Sequence, residues 1–200
     1  MGRRSDHTPD ELHDLLVSRG HEVMAERGFA KFSAREAARR AGYSVGTIYN
    51  VFGGLDGYLI AINSHTFRKW SACLQSALAD ETGDGDARIA ALVRAYFAFA
   101  DSNRNAWMAI YDHRIDRTNA VAKADETARE ELTGIVDAEV TRWLGQPEDA
   151  STRRLVRSLI ATVHGHCALW LTGSYALLQE EDPAGQALAR VMEALAAQRS

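Results

Sequence analysis

Two hundred residues, 46% of them hydrophobic, are enough for one large core or two small ones. A formal net charge of −4 excludes a chain that is cationic throughout, yet residues 27–52 hold Arg27, Lys31, Arg35, Arg39 and Arg40 against Glu36 alone. The start lacks the apolar run of a secretory signal, Asp6 breaks the acylation pattern that Gly2 suggests, and Arg157, His164 and His166 interrupt the most apolar window, so no membrane span is expected. Cys73 and Cys167 lie far apart in apolar settings and read as small buried hydrophobes of a reduced, cytoplasmic compartment.

The elements follow from their caps. Thr8-Pro9-Asp10-Glu11 offers a capping box with proline at the first helical position, Leu12, Leu15, Leu16 and Val23 supply an apolar stripe, and Gly28 ends the helix. Ser33 and Glu36 form a second box, opening a short helix that Gly42 terminates near Ala41. Ser44 caps a third helix, Val45 to Phe52. After Gly53-Gly54 a fourth helix is predicted from about Leu55 to Leu78, burying Leu59, Ile62, Phe67, Trp70 and Leu74. The polar, glycine-rich run Asp80–Asp86 is the clearest break in the chain. Helices are predicted beyond it at about 86–102, 104–114, 124–144, 152–178 and 183–198, with Gly145-Gln146-Pro147 and Glu181-Asp182-Pro183 as punctuation. No period-2 run is bounded by turn residues, so the fold class is all-α.

Two helices of about eight residues joined through Gly42-Tyr43-Ser44 match a helix-turn-helix at 33–52. Ala37, Ala38 and Ala41 permit close helix approach, and Ile48 with Phe52 faces inward. Ser44, Val45, Gly46, Thr47, Tyr49 and Asn50 are left outward: short or neutral side chains suited to phosphate hydrogen bonds and thymine methyls. The stretch A-x-x-A-G-Y-S-x-G-T-I-Y-N-V-F resembles the TetR/AcrR family of transcriptional regulators, with Gly42, Gly46, Thr47, Tyr49 and Phe52 at the family's spacing. The resemblance covers about residues 10–70. It implies a DNA-binding domain there, joined by the long fourth helix to an effector-binding and dimerisation domain over 80–200. It further implies a homodimeric repressor that binds a palindromic double-stranded operator and is released by a small-molecule effector. By position, Arg35, Thr47, Tyr49 and Asn50 would hold the DNA in register, and Ser44, Val45 and Gly46 would lie nearest the bases. One residue departs from the pattern: Leu55 stands where family members commonly carry a phosphate-binding lysine.

The C-terminal half is less informative. His164-Gly165 resembles the "WHG"-type C-terminal domain of some members, with Val163 where the tryptophan would be. His164 and His166 lie about 200° apart around a helix and cannot ligate one ion from a single face, so no metal site is expected. Phe99, Trp107, Tyr111, His113, His164 and Trp170 are the candidates for lining an effector pocket; aromatic residues at this spacing, Tyr96 and Phe97 included, equally fit a plain core. The predicted 152–178 helix carries two apolar stripes and so needs two partners. The second would be another subunit, meeting Ile160, Leu171, Tyr175, Leu178, Leu188, Val191, Met192 and Leu195. No nucleophile–base pair, metal spacing or phosphate loop assembles, so no catalytic residue and no cofactor is assigned. An α-helical enzyme using His113, His164 or Asp112, and an interaction module that has lost operator binding, are the rival readings.

Overall fold

The computed structural model describes residues 7–114, 122–145 and 149–198, the side chains of 122–125 excepted. Gly2, Asp6, Gln146 and Pro147 lie outside these. Every regular element among the described residues is helical: α1 (Pro9–Arg27), a 3-10 turn (Phe29–Lys31), α2 (Ala34–Ala41), α3 (Val45–Phe52), α4 (Leu55–Ala79), α5 (Gly85–Ser102), α6 (Arg104–Asp112), α7 (Ala122–Leu144), α8 (Ala150–Leu171), α9 (Ser174–Leu177) and α10 (Pro183–Ala196). No single helix among them is long and apolar enough to cross a membrane. Contacts divide the chain into two compact units, Met1–Arg68 with Asn103–Arg129, and Lys69–Ser102 with Glu130–Ser200. The division falls inside α4 rather than at the Asp80–Asp86 run, and α6 belongs to the first unit because it packs on α1.

In the first unit, local chemistry sets each helix end. The Glu11 N–H donates to Thr8 Oγ1 (3.3 Å) and the Thr8 N–H to Glu11 Oε2 (2.7 Å), completing the box that starts α1. The second box is only half made. The Glu36 N–H donates to Ser33 Oγ (3.3 Å), but the Glu36 carboxylate turns instead to Arg39 and Arg40, whose charge-assisted hydrogen bonds outcompete a neutral backbone donor. Gly42 closes α2 in the left-handed region (φ 80°), where its N–H and that of Tyr43 reach back to Arg39 O and Ala38 O. Ala37, Ala38 and Ile48 are completely buried and Phe52 nearly so, which holds α2 and α3 in close contact over α1. Tyr58 of α4 is also fully buried and donates its hydroxyl to Leu16 O (2.6 Å); it rises so close to α1 that a side chain at Gly20 would strike it. Burial raises the Tyr58 phenol well above its ordinary pKa, so it stays a donor. Asn105 Nδ2 donates to Ala25 O (2.8 Å), tying α6 to the end of α1.

In the second unit, α8 turns one face inward, Thr152, Val156, Leu159, Val163, Cys167 and Leu171, and meets Ala187, Val191 and Leu195 of α10. The single helix predicted over 152–178 is broken. The Thr172 hydroxyl donates back to Ala168 O (2.9 Å), Gly173 takes φ 77°, and the short α9 follows in a new direction. Arg88 forms a two-pronged bond with Glu139, both contacts 2.8 Å, and Trp143 Nε1 donates to Asp86 Oδ1 (2.6 Å), fastening α5 to α7. Both cysteines are free. Cys167 is buried, with its thiol pushed up to about 12 by burial and then by Asp101, whereas Cys73 is only half-buried, its thiol also raised by burial.

Candidate nucleic-acid interface and ligand cavity

On α3, Ser44, Gly46, Tyr49 and Asn50 are exposed, while Val45 and Thr47 are half-buried. Tyr49 keeps 46% of its surface in solvent although it is a large aromatic residue. Ser44 has the extended backbone of a cap, yet its Oγ lies 3.3 Å from Thr47 Oγ1 and caps no amide. The first turn of α3 is thus open to an anion.

The basic run separates into two kinds of arginine. Arg40 pairs with both oxygens of Glu26 (2.6 Å each) and with Glu36 (3.0 Å), and Arg39 pairs with Glu36 (2.8 and 2.9 Å). The hydrogen bonds from Arg39 and then Arg40 hold the Glu36 carboxyl at about 2. Because that pKa is depressed, the stabilisation it gives is complete above the ordinary carboxylate range and is lost only as pH falls toward 2. Arg35, exposed on the first turn of α2, has no ion-pair or hydrogen-bond partner among the described residues. It borders a surface groove with Phe32, Val45, Tyr49 and Leu55. Part of the positive charge counted in the sequence is therefore spent on α1–α2 docking. Glu36→Gln should release Arg39, whereas Glu26 keeps Arg40 paired; a DNA-binding titration is expected to show stronger non-specific binding and a salt slope steeper by about one.

The second unit contains a small cavity of about 50 Å³ whose lining includes Leu74, Leu92, Tyr96, Val140, Leu159, Ile160, Val163 and Val191. None of the six predicted pocket residues lines it. Trp107 and His113 are buried in the first unit, His113 against the Phe29 ring and 3.5 Å from both Asn63 Nδ2 and Asp56 Oδ1; Tyr111 of that unit is 44% exposed. Phe99 stacks on Trp70 and Trp170 lies against Phe97, both within the second unit. His164 touches the cavity wall, with Nδ1 3.1 Å from the hydroxyl of the lining residue Tyr96, and burial lowers its pKa, favouring the neutral ring. His166 turns elsewhere, to Thr162 O (2.9 Å). Among the described residues no group of three or more His, Cys, Asp or Glu could hold a metal ion.

Of the residues predicted to meet a second subunit, Leu171, Tyr175, Val191 and Leu195 are buried within the chain's own second unit. Leu178 is 60% exposed, and Ile160, Leu188 and Met192 are half-buried. The sequence gives two apolar stripes on one helix; the break at Gly173 and the docking of α10 decide which of them stays outside.

Residues 16–61 match the family model described as bacterial regulatory proteins, tetR family, and residues 89–195 match the tetracyclin repressor-like C-terminal domain, which alone spans more than half the chain. The chain belongs to the tetR family. This TetR-family regulator is 28% identical over 171 residues to the HTH-type transcriptional activator FasR of Mycolicibacterium smegmatis, covering 84% of this chain and 77% of that protein. Its fold is that of a tetR-family transcriptional regulator from Streptomyces coelicolor (TM-score 0.67, 19% identity, 94% of this chain and 83% of that one). The same fold occurs in FadR from Bacillus subtilis in complex with stearoyl-CoA (TM-score 0.65, 16% identity, 92% and 97%). The TetR-family assignment agrees with the resemblance read from the Gly42–Phe52 stretch.

Proposed function

We propose that this protein is a one-component regulator, acting in the cytoplasm, that binds a palindromic operator as a homodimer and changes its affinity when an apolar effector enters the second unit. The observation that carries the DNA reading is the groove beside α3, where the unpaired Arg35 faces the same concavity as Val45 and Tyr49. Arg35, Thr47, Tyr49 and Asn50 hold the phosphates, and Ser44, Val45 and Gly46 face the bases. The second subunit rests on the exposed Leu178 and the half-buried Leu188 and Met192 of the predicted set, with Leu169, which is 42% exposed.

A cavity of about 50 Å³ is small beside the ~300–1,000 Å³ of ordinary ligand pockets. An effector must therefore widen it, and its binding energy selects the widened state over the operator-bound one. The apolar lining and the stearoyl-CoA complex of FadR support a long-chain acyl effector. The sign of regulation follows from where the operator lies relative to the promoter; FasR is an activator, so repression is tested by a reporter gene.

Fluorescence anisotropy with the DNA flanking its own gene tests the reading. A salt-sensitive, sequence-specific complex is expected, and Arg35→Ala should reduce affinity about tenfold and the salt slope by about one. Failure of a purified dimer to prefer any duplex would favour an interaction module that has lost operator binding.

A further inference from the structure

Leu55 is a leucine with 43% of its surface in solvent, placed at the first residue of α4 on the rim of the groove that Phe32, Arg35, Val45 and Tyr49 line. An exposed leucine beside an unpaired arginine makes the groove two-ended. The Arg35 end attracts phosphate. The Leu55 end offers no cationic side chain, and Asp56, whose side chain is 77% exposed on the same turn, opposes phosphate there. What suits that end is an uncharged apolar group carried by the DNA, and in the major groove this is the C5-methyl of a pyrimidine.

We propose that Leu55, with Val45, forms a methyl-reading notch that seats the C5-methyl group of a thymine or 5-methylcytosine while Arg35 holds the adjoining backbone. Leu55 then contributes sequence preference where a lysine would contribute general affinity. Val45 supports it from α3: its side chain is half-buried against the core of the first unit, so its position is fixed before DNA arrives. Tyr49, on the next turn of α3, walls the groove and limits where a base edge can lie. The proposal rests on the DNA-binding reading above and adds a specificity determinant to it.

The test begins with selection of a preferred duplex from a random pool by the full-length protein. Each thymine of that duplex is then replaced by deoxyuridine, which keeps the base pair and removes only the methyl. At one position in each half-site the wild type should lose roughly fourfold in affinity. Leu55→Ala should bind the original duplex more weakly and show less than about a twofold change at that position. Its melting temperature should fall by no more than a few degrees, because 43% of the leucine is already in solvent. Leu55→Lys should likewise ignore the methyl and steepen the salt slope by about one. Placing cytosine and then 5-methylcytosine at the sensitive position separates the methyl from the pairing edge, and methylation should recover the same fourfold. The proposal is overturned if no thymine is methyl-sensitive, or if Leu55→Ala retains the full sensitivity. A pool that yields no preferred duplex at all instead overturns operator binding itself.

Discussion

Gly57→Ala is expected to destabilise the first unit by about 3 kcal/mol, near the upper end of what overpacking costs, and to abolish specific DNA binding. Gly57 is buried in the first turn of α4, and the position a Cβ would occupy is already held by the backbone carbonyl of Phe52. A side chain could yield by changing rotamer; a main-chain carbonyl cannot move without moving α3. Gly53 and Gly54, with φ of 72° and 141°, make the turn that brings that carbonyl over α4. The extra methyl would thus act on the angle between α3 and α4, and only through it on the reading face. Gly134→Ala in α7 is the control: nothing lies within 4 Å of the added atom, and relief of glycine's helix cost should stabilise the second unit by up to about 1 kcal/mol. Thermal melting of the two variants checks both signs, and a Gly57→Ala protein that melts and binds like the wild type would refute the close-approach account.

Val163→Phe is expected to uncouple effector from DNA. Val163 is buried on the inner face of α8 and lines the cavity, so a phenyl ring there occupies the space an acyl chain would widen. The cavity can absorb part of the added volume, which keeps the cost in folding below that of overpacking a filled core. Stearoyl-CoA should lower the operator affinity of the wild type by a factor within the usual allosteric range, about 5- to 150-fold, and leave Val163→Phe unchanged. Both proteins should bind DNA equally well without it. Anisotropy titrations with and without stearoyl-CoA decide this, and an unaltered response in Val163→Phe would place the effector somewhere other than this cavity.

What could be read before the structure was what short-range chemistry controls. The ends of α1 and α2 follow from Thr8, Pro9, Gly28, Ser33 and Gly42, because each cap is decided by residues within one turn of it. The turn and the burial of Ile48 and Phe52 follow from the same local pattern. The break in α8 is harder: glycine at 173 and threonine at 172 are individually tolerated in a helix, and only the packing of α8 and Tyr175 against the rest of the unit favours the left-handed turn over continuation.

Tertiary structure decided which like residues do unlike things. Three arginines lie within six positions, but Glu26, at the far end of α1, reaches Arg40 and leaves Arg35 free, a distinction set by how α1 and α2 cross. The cavity is assembled from side chains on α4, α5, α7, α8 and α10, each an ordinary apolar residue on its own helix, so no signal in the sequence marks Val163 or Tyr96 above its neighbours. The conspicuous residues, Trp107 and His113, went into the interior of the first unit. The sequence by itself determined most of the helices, the turn between α2 and α3, and which side chains α3 turns outward, because hydrogen bonds across one turn and apolar periodicity act over a few residues. Which charges remain unpaired, where the cavity lies and which apolar stripe stays in solvent depended on residues far apart in the chain meeting across packed helices.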